Sequence, residues 1–481
     1  MFPLKRLTIL ILLMVCVTMP VGATTYFLAS SSNSPAGNDG NTGTDAAHPW
    51  LSPNHALNCG DVILAAASTA YNAGNFFTGS WGTVTCAAGN NVAWLKCAVF
   101  DTCKITGTSF AGMWIDKSYW GVQGWEITTP QTDQFGQCFQ TEPNFTTPVN
   151  IHHIIFANNI ANGCGGAGIA TAQGSNNTTG VDYVVLIGNI VYNSSSSTTG
   201  VCDSAISIAV PINTDTAPGT HDYVAGNFTW ASFDGNPCNG GVPTDGEGII
   251  LDTINFFNYT GQMVVQNNIV FLNGGRGIEV YLNAALDSRI YIKYNTLYSN
   301  GTDPNQNSSV CGDLQIYTDS KIEELFNLVQ EAQSTGCGSN LLYAMSVGNG
   351  GPTDHVYNNF AYGISGQNTQ ISTSPGFSYG PGNTLGTSPA YFNPVNPGAP
   401  SCGSFVSVPA CMATVISNFT PTNATAKPYG YQPVSTTSIY DPFYPVWLCT
   451  VTNLPTGLVT PGCVTGDSLA SGTAISGKTL K

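Results

Sequence analysis

The chain has 481 residues, only 8 % of them charged, and its 27 acidic against 12 basic side chains leave a formal net charge of −15. So acidic and cation-poor a protein is a poor partner for nucleic acid, for an anionic membrane surface or for an unbridged polyanion. Asn, Ser, Thr, Gly and aromatic residues take the place of charge, which makes a surface suited to hydrogen bonding and stacking.

Residues 1–23 read as a secretory signal. Lys5 and Arg6 precede an almost wholly apolar run from Leu7 to Val17, and Val21-Gly22-Ala23 supplies small residues for cleavage near Ala23. The apolar run is too short to span a bilayer, and no later segment is long enough. The expectation is an exported, monomeric protein beginning near Thr24, extracellular or periplasmic, with no membrane insertion. Fourteen Cys remain once Cys16 leaves with the signal, out of 15 in the whole chain. An even, high count in an exported chain points to disulfides. The near-neighbour pairs are Cys97 or Cys86 with Cys103, Cys311 with Cys337, Cys402 with Cys411, and Cys449 with Cys463. Neither CxxC nor a Cys/His cluster at zinc spacing is present.

Residues 24–150 form a cap and the first turns of a repeat. Phe110-Ala-Gly-Met-Trp114-Ile115 and Trp120-Gly-Val122-Gln-Gly-Trp125-Glu126-Ile127 read as strands. From 151 to about 362 a short apolar run leads repeatedly into Asn and a second apolar run. The Asn residues are 159, 189, 227, 268, 295 and 359. A third run often follows, as in Ala205-Ile206-Ser-Ile208, Gly248-Ile249-Ile250-Leu251 and Gly277-Ile278-Glu-Val280. Runs of three to five β-branched or aromatic residues between Gly and Asn are strands, too short for helices. One unit cannot bury its own apolar side chains, but stacked units cover one another. The repeat therefore predicts an all-β parallel β-helix. Asn at a fixed turn position suits left-handed backbone, and stacked amides can bond from coil to coil. The wide gap from 295 to 359 leaves room for an extra coil near Leu341-Leu342-Tyr343-Ala-Met345. Residues 320–333 predict one inserted helix, with Ser320 and Glu323 as a capping box and Ile322, Leu325, Phe326 and Val329 as an apolar stripe. Residues 363–481 turn Gly-, Pro-, Ser- and Thr-rich. With their aromatics and Cys they read as an irregular disulfide-containing segment packed on the C-terminal end of the solenoid, the last dozen residues mobile.

Three stretches carry a family likeness. Tyr26-Phe27-Leu28-Ala29 is followed by Gly37-Asn38-Asp39-Gly40-Asn41 and Pro49-Trp50. Cys59-Gly60-Asp61-Val62-Ile63-Leu64 follows, and Asn273-Gly274-Gly275-Arg276-Gly277-Ile278 comes later. Over residues 25–360 the chain resembles the right-handed parallel β-helix superfamily, the pectate-lyase-like fold. The resemblance implies a right-handed solenoid and an association with carbohydrate. It fixes no activity, because the fold hosts lyases, hydrolases, transferases and adhesins.

Polar residues concentrate between 245 and 293. Asp245, Glu247 and Asp252 fall in one repeat, Arg276, Glu279 and Tyr281 in the next, then Asp287, Arg289 and Lys293. In stacked coils, positions one repeat apart lie about 4.8 Å apart, so Asp245 and Glu247 share a face with Arg276 and Glu279. Alternation along the strand turns Glu279 and Tyr281 outward. Paired carboxylates suit general acid and base work in glycoside hydrolysis. Alternatively, Asp245, Glu247 and Asp252 hold calcium through oxygen, and Arg276 or Lys293 serves β-elimination from a uronate, with Tyr281 and Arg289 contacting substrate. Calcium-dependent lyases of the resembled family carry Asp-Asp-Gly-apolar-Asp and a Lys after Gly-Asn-Gly-apolar. Here these become Asp245-Gly246-Glu247-Gly248 and Gly275-Arg276-Gly277-Ile278-Glu279, so the usual lyase base is missing. The Asn-Thr-Asp, Asp-Asp and Gly-His-Gly set of polygalacturonase-like hydrolases is absent. The sequence thus leads to a secreted β-helix protein acting on a polysaccharide as lyase or hydrolase. The alternative is a non-catalytic glycan-binding or adhesion module. His152, His153, His221 and His355 read as structural.

Overall fold

The computed structural model describes residues 23–86, 91–107, 111–133, 135–197, 202–234, 243–283, 289–303, 305, 312–318, 321–331, 344–347, 355–363, 371–373, 381–391, 408–432 and 443–454. The expected signal and Asp287 lie outside them.

Strand, corner, strand, corner, strand is the unit that the apolar runs encode. Ile151–Ala157, Ile160–Asn162 and Ile169–Thr171 make one coil, and Val181–Ile187, Ile190–Tyr192 and Ile206–Ala209 the next. Every third strand pairs in parallel with its successor. Among the described residues this builds a first and a second sheet of 11 strands each and a third of 9. Parallel crossovers of this kind take the right hand. The chain is a right-handed parallel β-helix.

Inward residues stack coil on coil. On the third sheet Ile169, Ile206, Ile249, Ile278 and Leu314 pair in register, all 1 % exposed or less. On the second, Ala161, Val191, Thr229, Val270, Leu297 and Val329 do the same. These columns hold the rod together by contact between neighbours only.

The first corner explains the recurrent Asn. Asn159, Asn189, Asn227, Asn268, Asn295, Asn327, Asn359 and Asn383 form one ladder, with amide-to-amide bonds of 2.9–3.3 Å. An interior amide also donates to a strand carbonyl and accepts a backbone N–H, as Asn227 does with Leu186 O and Asn189 N. The left-handed residue is not the ladder Asn but the one before it. Asn158, Gly188, Gly226, Asn267, Tyr294, Phe326 and Asn358 have φ between 52° and 66°. That conformation costs a bulky residue about 1–2 kcal/mol. The two aromatic ones, Tyr294 and Phe326, stack at 5.0 Å.

Asn327 exposes the main departure from the sequence reading. Residues 321–331 are not a helix. Lys321–Leu325, Leu328–Glu331 and Met345–Val347 are the three strands of the additional coil, which begins earlier than expected but has its third strand at the expected Met345. Glu324 pairs with Ile292 and Val356 in the inward column of the first sheet and is 1 % exposed. A carboxyl at an inward position breaks the period-two pattern and leaves an i, i+3, i+4 pattern that reads as helix. Met345–Val347 is a strand of the third sheet. The α-helix that is present, Val408–Phe419, lies in the C-terminal segment.

The described residues 408–432 and 443–454 of that segment pack on the solenoid. They lie along two of its flanks. Phe419 packs on Phe271 and Tyr298 of the second sheet, and Tyr431 N donates to Thr296 Oγ1. Residues 443–453 then run back along the first sheet. Phe443 lies on Tyr291, Tyr444 on Tyr223 and Trp447 on His153. Thr452 exchanges hydrogen bonds with Asn91, and the amide of Asn453 donates to Gly60 O.

Cys97 pairs with Cys103, as expected, but Cys86 pairs with Cys59, and Cys138 joins Cys164 on the next coil. Cys202 and Cys449 are also disulfide-bonded. The remaining expected pairs fall wholly or partly outside the described residues. No helix among the described residues is long and apolar enough to cross a membrane.

Candidate functional site

The described contacts of the C-terminal segment fall on the first and second sheets. The outer face of the third sheet and the corner leading into it are where the polar residues collect.

Glycine brings those coils close. Gly246 has φ +91°, and a Cβ there would meet Asp234 N at 2.8 Å. A Cβ on Gly275 would meet Asp245 O at 2.7 Å and Glu247 N at 2.9 Å. This packing sets Ser204, Glu247 and Arg276 at the same position of three successive coils. Ala205 N donates to Glu247 O at 2.8 Å and Gly248 N to Arg276 O at 2.9 Å. Ser204 Oγ donates to Glu247 Oε2 at 2.7 Å. The Arg276 guanidinium pairs with Glu279 and stands 3.9 Å from Glu247 Oε1. Glu247, Arg276 and Glu279 are at most 2 % exposed.

One buried cation faces many acids. Burial raises the Glu247 carboxyl well above its usual range, and the charges of Glu279 and Asp245 add to it. Burial also raises Glu279, against the pull of Arg276. Asp245 and Asp203 are half-buried on the solvent side of this group. Desolvation pushes Asp245 up to about 7, with Asp234 and Glu279 adding to it. Desolvation pushes Asp203 up to about 8, with Asp245 the largest charge acting on it. Gly246 N donates to Asp203 O at 3.0 Å, so Asp203 and Asp245 belong to touching coils. Burial likewise raises Asp252, which pairs in register with Tyr281. Such an arrangement holds protons near neutrality and can release them singly.

Of the residues singled out in the sequence, Asp245, Glu247, Arg276 and Glu279 do come together. Asp252 and Tyr281 flank them on the same sheet, and Tyr281 is 38 % exposed. Glu279 points outward but is shut from solvent. Arg289 and Lys293 are placed elsewhere. They belong to the first-sheet strand Arg289–Lys293, where Lys293 Nζ sits 3.7 Å over the Phe443 ring. Arg289 is exposed and donates to the Tyr291 hydroxyl. Asp203, Asp234 and Ser204 escaped the sequence reading. Aligning Ser204-Ala205-Ile206 with Glu247-Gly248-Ile249 and Arg276-Gly277-Ile278 would have found the Ser204 position, with Asp203 beside it.

Calcium does not fit these residues. Glu247 Oε2 already accepts from Ser204, the Arg276 guanidinium stands 3.9 Å from Oε1, and Asp252 lies at the far end of the strand. Among the described residues no three His, Cys, Asp or Glu side chains are gathered to hold a metal ion.

The histidines form a separate structural column. Tyr119, His153, Tyr183 and His221 stack ring on ring at 4.0–5.0 Å beneath Trp447. His221 Nδ1 lies 2.9 Å from Asp182 Oδ1. Although burial opposes it, the hydrogen bond and charge of Asp182 raise His221 to about 9.

The raised carboxyls and His221 act in one direction on stability, while His153, lowered to about 3 by burial, opposes them only below its unfolded value of 6.5. Asp203 and Asp245 ionise near pH 4 when unfolded, but only at about 8 and about 7 when folded. Glu142, raised by burial to about 8, follows them. The folded state therefore holds more protons across that interval, and stability falls as pH rises through it. The His221 contribution is complete below its unfolded value of 6.5 and is lost as pH rises through about 9. The melting temperature is expected to fall steadily from pH 5 to pH 9 in calorimetry. A maximum near pH 8 would contradict these assignments.

No protein-family model matches the chain, and no curated protein matches it. Solved structures do. The chain is similar to the pectate lyase Pel9A at 14 % identity over 70 % of this chain and 80 % of that one, with a TM-score of 0.40. XylC in complex with xylose matches at 9 % identity over 72 % and 76 %, with a TM-score of 0.46. A rhamnogalacturonan lyase matches at 12 % identity over 76 % and 87 %, with a TM-score of 0.38. These are likenesses of winding alone.

Proposed function

We propose that this is an exported glycoside hydrolase acting on a neutral polysaccharide, with Asp203 and Asp245 as its catalytic pair. The observation that supports this is the two half-buried carboxyls on touching coils, both raised toward or above neutrality over a buried Glu247–Arg276–Glu279 group. One member keeps its proton and delivers it to the leaving glycosidic oxygen as the C–O bond breaks. The other, ionised, takes a proton from the water that attacks the sugar carbon. Arg276 and the acids behind it set the field that splits the two. The surplus of acids around the pair disfavours a polyuronate, which favours a neutral chain. Elimination is disfavoured because Arg289 and Lys293 are on another sheet and Arg276 is bound to Glu279.

The test is a panel of neutral, uronate and sulfated polysaccharides incubated with the protein, with and without chelator. New reducing ends on a neutral glycan, no ultraviolet-absorbing unsaturated product and no effect of chelator are expected. Asp245→Asn and Asp203→Asn should each lower kcat by about a hundredfold or more with folding intact. An unsaturated product would overturn the hydrolase reading. The burial of Glu247 and Glu279 favours the second reading, a glycan-binding module. Binding without any new reducing ends would establish that instead.

A further inference from the structure

We infer that Trp114, Gln140 and Glu142 form a distal sugar-binding subsite on the same outer face of the third sheet, so that the protein grips an extended neutral oligosaccharide rather than a single ring. This rests on the function proposed above. The outer face of the third sheet carries one column in register: Trp114, Gln140, Ala170, Ser207, Ile250 and Glu279. Five strand spacings of ~4.8 Å put Trp114 about 24 Å from Glu279. Between them Ala170 and Ser207 are small, and Ile250 stands next to Glu279. A mono- or disaccharide cannot reach both ends.

The far end has the chemistry of a sugar site. Trp114 packs edge-on against Phe77 and Phe145 at 4.9 and 5.0 Å, and Phe145 is 49 % exposed. Trp114 and Gln140 are each 6 % exposed, yet the indole N–H and the Gln140 Oε1 have no partner among the described residues. A buried donor and a buried acceptor left unmet cost about 1–3 kcal/mol each. A hydroxyl-bearing ligand supplies both at once, against an aromatic wall. Gln140 Nε2 donates to Glu142 Oε2 at 2.6 Å. Burial pushes Glu142 up to about 8. This end of the face is therefore uncharged at neutral pH, which suits a neutral glycan.

The experiment is calorimetric binding to uncleaving Asp245→Asn protein, with hexasaccharides of xylan, cellulose and mannan against the corresponding disaccharides. At least one hexasaccharide should bind about tenfold or more tighter than its disaccharide. Trp114→Phe keeps the ring packing but removes the N–H, and Gln140→Ala removes the acceptor. Each should weaken hexasaccharide binding by about tenfold and leave disaccharide binding unchanged. Hexasaccharide binding unchanged in both variants, or no hexasaccharide binding at all, overturns the subsite. Full turnover by Asp245→Asn overturns the catalytic assignment, and the subsite is then judged by the same comparison in wild-type protein on ice.

Discussion

Arg276→Ala is expected to destabilise the protein by about 3–5 kcal/mol at neutral pH. Arg276 is 1 % exposed and is the cation that meets Glu279 and stands beside Glu247. Without it, either two carboxylates stay buried unbalanced or both must bind protons, and both outcomes cost the folded state. The loss should shrink as pH falls toward about 4, where the unfolded chain protonates its carboxyls too. Urea unfolding of wild type and variant across pH 4–8 measures this. A loss that does not change with pH would mean that Arg276 acts through its aliphatic packing and not its charge.

Asn268→Ala should cost about 2–5 kcal/mol, whereas Asn383→Ala should cost about 1 kcal/mol or less. Asn268 is wholly buried. Its Oδ1 accepts from Asn227 N and Nδ2, and its amide donates to Val224 O and Asn295 Oδ1. Removing it strands two buried donors of Asn227. Asn383 is the last rung of the ladder among the described residues and is half-buried, so water can replace much of what is lost. Denaturant midpoints of the two variants test the difference. Equal losses would show that the ladder is not the source of the corner's stability.

The solenoid was legible because the Asn corner and the apolar runs recur in a fixed order. The gap from 295 to 359 predicts an extra coil, but its first two strands read as a helix, because Glu324 occupies an inward position where the other described coils are apolar or aromatic. Asp245, Glu247, Arg276 and Glu279 were legible as neighbours because Gly248-Ile249 and Gly277-Ile278 align by eye. Lys293 misled for the converse reason. Within one coil, residues close in sequence belong to different sheets, so Lys293 points away from Glu279, 14 positions earlier. Asp203 was missed because an insertion puts Ser204 43 residues before its stacking partner Glu247.

Residues 443–453 change how such a rod can come apart. A stack of coils held only by nearest neighbours frays from its ends, each turn melting nearly by itself. Here Phe443 touches Tyr291 and Asn453 reaches Gly60, so one short segment ties a late turn to the first ones. Unravelling the last coils must peel this tie from the length of the flank, which couples distant turns into one transition. Ribosomal synthesis delivers the tie after every turn it spans, so the rod locks only once all of those turns have been made.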